Sequence, residues 1–224
     1  GRYQTSASGT SSHAEGGATT AKGETSHAEG NATYAMSSYS HTEGNSTTAF
    51  DDGSHAEGSS TYAAKIGSHA EGYKTTTTGQ YSHTEGNTSF ASGNYSHAEG
   101  SLTSAAGVAS HAEGLECTAR SNYSHAEGYR TYGSYTYSHA EGYNTSSVYQ
   151  YCHAEGSGTY AYNTASHAEG GGTCAVKGYS HAEGYNTYAG GTYSHVEGNA
   201  CWTIGDNSHA EGNATTAAGS KSHA

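Results

Sequence analysis

The chain has 224 residues, sixteen times fourteen, and a formal charge of −12 with His neutral, from 20 acids against 8 Lys and Arg. It holds 33 Gly, no Pro, 21 Tyr and 16 His, and its large aliphatic residues are only Leu102, Leu115, Ile66, Ile204, Met36 and four Val. That composition excludes the Leu/Ile/Val/Phe core of a globular enzyme, a basic nucleic-acid-binding stripe and an apolar run long enough to insert as a membrane helix.

Mean hydropathy is −0.80, but only 12% of residues are charged. A strict long-range period argues for order over disorder. The array opens in register with Thr5, Ala7 and Gly9. Its first full motif is Ser12-His13-Ala14-Glu15-Gly16, and the unit reads S-H-A-E-G-x-x-T-x-A-x-G-x-x. It recurs without insertion to Ser208-His209-Ala210-Glu211-Gly212 and stops inside Ser222-His223-Ala224. Residues 1–224 therefore read as one continuous repeat array with no linker, expected to be a segment of a longer fibre or a protomer that stacks end to end.

Fourteen residues are too few for a helical repeat, and Gly, Thr, Ser and Tyr disfavour helix. The period suits one coil of an all-β parallel β-solenoid, two short strands joined by two tight turns, with about 16 coils in all. The first strand is expected over Ser-His-Ala-Glu-Gly and the second over Thr-x-Ala-x-Gly, each ending on a Gly that supplies turn geometry. Strand alternation sends Ser and Ala of the first strand and Thr and Ala of the second to one face. These monotonous small residues are the expected interior. The varied residues between them, such as Tyr34, Thr48, Phe90 and Trp202, are expected outside. At about 4.8 Å per coil, sixteen coils would form a rod on the order of 75 Å long.

The same alternation puts His and Glu together on the opposite face, as a His ladder beside a Glu ladder. The pairs are His13 and Glu15, His27 and Glu29, His41 and Glu43, His55 and Glu57, and His69 and Glu71. His83 and Glu85, His97 and Glu99, His111 and Glu113, His125 and Glu127, and His139 and Glu141 follow. The series closes with His153 and Glu155, His167 and Glu169, His181 and Glu183, His195 and Glu197, and His209 and Glu211. A face this uniform reads as an oligomer interface between copies of the chain. A solvated face kept uniform by repeat duplication and a metal-binding ladder are the alternatives. No cofactor is called for, although His beside Glu can ligate occasional zinc or nickel. Dications in every coil would repel by about 14 kcal/mol per pair at an effective dielectric of 20, so a full column is not expected. Protonating all 16 His would carry the formal charge from −12 to +4, so assembly through His-Glu pairs is expected to change between about pH 5 and 8.

Catalysis is not expected. Ser12 and Ser26 precede His13 and His27, but alternation turns each Ser away from its His, and repeated copies offer no single shaped pocket. The four cysteines, Cys117, Cys152, Cys174 and Cys201, follow no metal or disulfide spacing and read as small packing residues. Tyr39, Tyr81, Tyr95, Tyr123, Tyr137, Tyr179 and Tyr193 stand just before the motif. At those turn positions they are expected to line the edges, either stacked on one another or as a surface for glycan or protein.

The unit resembles the head repeats of YadA-type trimeric autotransporter adhesins, the Hep/Hag repeats, whose pattern S-V-A-I-G-x-x-S-x-A-x-G-x-x matches its spacing over the whole chain. SHAEG-bearing versions are similar to those of phage tail-fibre and bacterial surface proteins. The resemblance implies a left-handed β-roll, a homotrimer, and an adhesive or structural role outside the cell, at a cell surface or on a virion fibre. This chain departs from the family by carrying His27 and Glu29, and their equivalents, where the adhesins carry Val and Ile facing the trimer core. A paired filament is the alternative assembly this leaves open.

Overall fold

The computed structural model describes residues 4–224. They fall into two compact units, Gly1–Ser110 and His111–Ala224. Each unit is a parallel β-solenoid of fourteen-residue coils, as the period predicts, and no helix occurs among the described residues. In the first unit a long strand recurs from His13–Gly17 and His27–Asn31 to His97–Ser101, and a short one from Ser6–Ala7 to Ser104–Ala105. In the second the long strand runs from His111–Leu115 to His181–Tyr185 and shortens to His195–Val196 and His209–Ala210. Its short partners run from Thr118–Ala119 to Thr216–Ala217. The register places like on like, with His27 beside His41, Glu29 beside Glu43 and Gly30 beside Gly44.

The interior is as narrow as the small residues require. Ser26, Ala28, Thr33 and Ala35 are all buried, and the same four places are buried coil after coil. This column admits a Thr at Thr42 and Thr84 and a Val at Val196, but nothing larger. So little apolar area is removed from water that regularity rests on backbone pairing. Strand amides reach the following coil, as in His27 N–H to Ser40 C=O at 3.0 Å and Tyr34 N–H to Thr47 C=O at 2.9 Å.

The strand limits differ from expectation by one residue. The long strand starts at His, and Ser closes the preceding turn instead: Ser26 Oγ–H donates to Gly23 C=O at 2.7 Å and its own N–H reaches the same oxygen at 3.3 Å. Ser110 and Ser194 repeat the clamp on Gly107 and Gly191, each at 2.7 Å. The second strand is shorter than expected, only two residues, as in Tyr34–Ala35.

The turns also depart from the glycine-based expectation. Besides the Gly after Glu, each full coil has two residues of positive φ, and most are not Gly: Thr25 at 55°, Ala32 at 55°, Tyr39 at 57° and Ser46 at 59° are among them. Left-handed backbone costs roughly 1–2 kcal/mol for such residues. What offsets it is hydrogen bonding, because each of these residues sends its N–H back to the preceding coil. Thr25 N–H reaches Thr10 C=O at 2.8 Å and Ala32 N–H reaches Gly17 C=O at 2.8 Å, so the turns are laddered as well as the strands. The invariant Gly after Glu has a different task. At Gly58 φ is +109°, and a Cβ there would stand 2.2 Å from the Gly72 carbonyl oxygen. Its absence of a side chain lets successive coils close to hydrogen-bonding distance.

Candidate functional site

The long strands bring the predicted His and Glu residues onto one half-exposed face. Within a coil, imidazole Nε2 faces the carboxylate two residues on. The separation is 3.6 Å at His13–Glu15 and His27–Glu29, 3.7 Å at His55–Glu57, 3.9 Å at His69–Glu71 and 4.0 Å at His83–Glu85. It is 3.8 Å at both His97–Glu99 and His111–Glu113. It narrows to 3.3 Å at His125–Glu127 and 3.4 Å at His139–Glu141 and His153–Glu155. It is 3.5 Å at His167–Glu169 and 3.8 Å at His181–Glu183. His41 and Glu43 lie in register with this series, and His209 and Glu211 also draw together.

Along each unit the imidazoles stack. Ring centroids are 4.5 Å apart with planes at 5° for His55–His69, and 4.7 Å at 6° for His139–His153. The stack opens edge-on at His13–His27, where the planes meet at 63°. Stacking has an electrostatic consequence. Burial first, and the adjacent imidazoles second, hold His41, His69, His83, His139, His181 and His195 below the usual histidine value, His69 at about 4. The close His–Glu approaches look like ion pairs by distance, yet at these positions the ring is neutral at pH 7. There the approach is a contact of a neutral imidazole with a carboxylate, as at His69–Glu71 and His139–Glu141. Several Nε2 atoms, those of His27, His55, His69 and His83 among them, are closed to water and have no hydrogen-bond partner.

No protein-family model and no curated protein sequence matches this chain. Its chemistry has to be read from its own geometry.

A catalytic triad is not assembled. Ser26 is buried on the side away from His27, with its hydroxyl committed to Gly23. The cysteines carry free thiols, and they take the places of other small residues. Cys117 and Cys201 stand in the Thr column, each with its S–H turned to a Gly carbonyl, at 3.1 Å to Gly128 and 3.3 Å to Gly212. The Thr hydroxyls of that column behave differently: Thr19, Thr33 and Thr47 are buried without a partner.

The tyrosines line the turn edges and stack on one another. Ring centroids are 5.0 Å apart for Tyr123–Tyr137, 5.2 Å for Tyr137–Tyr151 and 5.0 Å for Tyr179–Tyr193, with planes within 13° of parallel. Their outer edges stay wet, Tyr39 being 66% exposed and Tyr95 63%. Sequence reasoning missed three things: the left-handed turns, the Ser clamp and the weakened basicity of His69. The first has no residue signal, since Tyr, Thr, Ser and Ala occupy those turns. The clamp is a local contact three residues back, whereas the weakened basicity of His69 follows from stacking identical coils, for which the His grid was the cue.

Proposed function

We propose that the protein is a structural, non-enzymatic fibre component that associates laterally with copies of itself through the His-Glu face, outside the cell. The observation that carries this reading is the uniformity of that face. His and Glu recur in every full coil at half-exposed places, while other outward positions range from Thr48 to Tyr62, Phe90 and Trp202. A freely solvated face has no physical reason to hold one chemistry.

The imidazole column also supplies the bonding. A neutral imidazole keeps one N–H donor, and a facing copy presents a column of carboxylates at the same spacing of about 4.8 Å. Charge-assisted hydrogen bonds from imidazole to carboxylate across two such faces satisfy both columns. The paired faces need no apolar patch, which suits a chain with so few large aliphatic residues.

Sedimentation velocity over a hundredfold concentration range tests the reading. The native chain is expected to associate, and a variant carrying Glu29→Lys, Glu99→Lys, Glu127→Lys and Glu155→Lys is expected to sediment as a monomer with unchanged far-ultraviolet dichroism. A native chain that stays monomeric, or a variant that associates equally well, refutes it.

The exposed Tyr columns favour a second reading, an adhesin or fibre shaft that meets surface glycan or protein through its edges. Specific binding on a glycan array that is lost with Tyr81→Ser, Tyr95→Ser and Tyr123→Ser would select it. Absence of binding leaves the structural fibre.

A further inference from the structure

The ladder is uniform in sequence but not in geometry. At three places one ligand atom each from two stacked His and the intervening Glu converge to within 4.8 Å of one another: His69, Glu71 and His83; His181, Glu183 and His195; and His209, Glu211 and His223. We propose that these three clusters are binding sites for a divalent transition metal of the zinc class, each completed by water in a fourth position.

Three observations support it. The first is span. Zinc holds imidazole nitrogen and carboxylate oxygen at about 2.0–2.2 Å, which puts two ligands on a tetrahedral ion roughly 3.4 Å apart. Nε2 of His69 already stands 3.9 Å from Oε2 of Glu71, and the His181–Glu183 distance is 3.8 Å. A small side-chain swing closes the difference.

The second is the state of the donor atoms. Nε2 of His69, His83, His181, His195 and His209 is closed to water and has no hydrogen-bond partner. A buried polar atom without a partner is costly and uncommon. Here it is an imidazole nitrogen beside a carboxylate, a donor set that a zinc-class ion satisfies.

The third is disposition. An ion at such a site uses the His of two successive coils, so adjoining coils cannot each hold one without sharing a ligand. The three clusters share none, and each brings a carboxylate to offset the ion's charge. His69–His83 stack at 4.6 Å, and the two C-terminal pairs tilt by 30° and 33°, which is the freedom convergence needs. Imidazole with carboxylate suits zinc, nickel, cobalt or copper and disfavours calcium and magnesium.

All ligands of a site come from one chain, so the inference does not rest on self-association. The test uses an untagged full chain, stripped with chelator and equilibrated against zinc chloride alone at pH 7.5, with bound metal counted by mass spectrometry. Three tightly held ions per chain are expected. Glu71→Gln, Glu183→Gln and Glu211→Gln together should weaken that binding at least tenfold, while Glu29→Gln, Glu57→Gln and Glu99→Gln together should leave it unchanged. No retained zinc, about one ion per coil, or equal loss in the two variants overturns the proposal. If the variants do not fold, the cobalt-loaded native chain decides: intense tetrahedral visible bands support the sites, and weak octahedral bands overturn them. Loss of zinc binding would leave the sedimentation result untouched, and the converse also holds.

Discussion

Gly53→Ala and Gly58→Ala offer a sharp test of what holds the coils together, because the two glycines lie five positions apart in one coil and both have positive φ. Gly53 is a turn residue at φ +61°, and a Cβ there would meet nothing within 4 Å. Other coils place Tyr39, Tyr81 or Tyr95 at the same turn. Its cost is left-handed strain of roughly 1–2 kcal/mol, partly offset by about 0.4–1 kcal/mol from a less flexible unfolded chain, hence about 1 kcal/mol or less. Gly58 differs. Its added Cβ would sit 2.2 Å from Gly72 oxygen and 3.0 Å from Gly72 carbon and nitrogen. Ordinary carbon contacts lie near 3.5 Å, so the coils must part by roughly 1 Å. That lengthens neighbouring bonds such as Lys74 N–H to Ser59 C=O, now 2.9 Å, beyond useful range. Two lost ladder bonds at about 1 kcal/mol each add to φ strain of about 1–3 kcal/mol, for a total of about 3–5 kcal/mol. Urea unfolding followed by dichroism gives the global difference. Because repeat arrays respond locally, amide exchange at Ser60 and Lys74 gives the local one, expected to accelerate by about a hundredfold or more for Gly58→Ala. If Gly58→Ala proves as mild as Gly53→Ala, close backbone approach is not why Gly recurs after Glu.

Thr33→Val should stabilise the chain by about 1 kcal/mol in urea unfolding, because it removes a buried hydroxyl without a partner and keeps the shape; a loss of that size would show that the hydroxyl is bonded. Ala126→Val should be tolerated, since Val196 fills the same column, whereas Ala126→Leu should cost about 1–3 kcal/mol by overpacking; equal melting temperatures for the two would contradict a closed interior. Ser26→Ala should cost about 1 kcal/mol through the lost bond to Gly23, read from the same urea midpoint. His41 and His139 have folded-state values below the usual 6.5, so the unfolded chain takes up protons first as pH falls. In metal-free buffer, stability should therefore be flat above about pH 6.5 and fall below it; a urea midpoint that rises between pH 7 and pH 5 would mean that the ladder prefers to be charged.

The fold was legible because the repeat states each constraint many times over. A recurring Ser, Ala and Thr at period two, replaced only by other small residues or Val196, next to variable Tyr34, Thr48 and Phe90, separates inside from outside without a core of large apolar residues. The turns were not legible, and Tyr39 shows why. Its left-handed backbone is set by the N–H it must return to Glu24 C=O of the preceding coil, at 2.9 Å, a contact created only by stacking. Local propensity argues against that conformation for Tyr, and tertiary pairing overrides it. For Gly58 the residue type was informative but its reason was not, since a turn and a close backbone approach both call for Gly.

The His-Glu face was legible as a face, but the effect of stacking on its histidines was not. Side by side in sequence, His69 and Glu71 suggest mutual neutralisation. Stacked in the solenoid, His69 lies between His55 and His83, at 4.5 and 4.6 Å, and each ring makes it harder for the next to charge. His69 therefore carries no charge at pH 7 to set against Glu71. Only 8 Lys and Arg are spread through the whole chain against 20 acids. Donors on a second copy, or cations seated where the imidazoles converge, are the two partners proposed above for the Glu column.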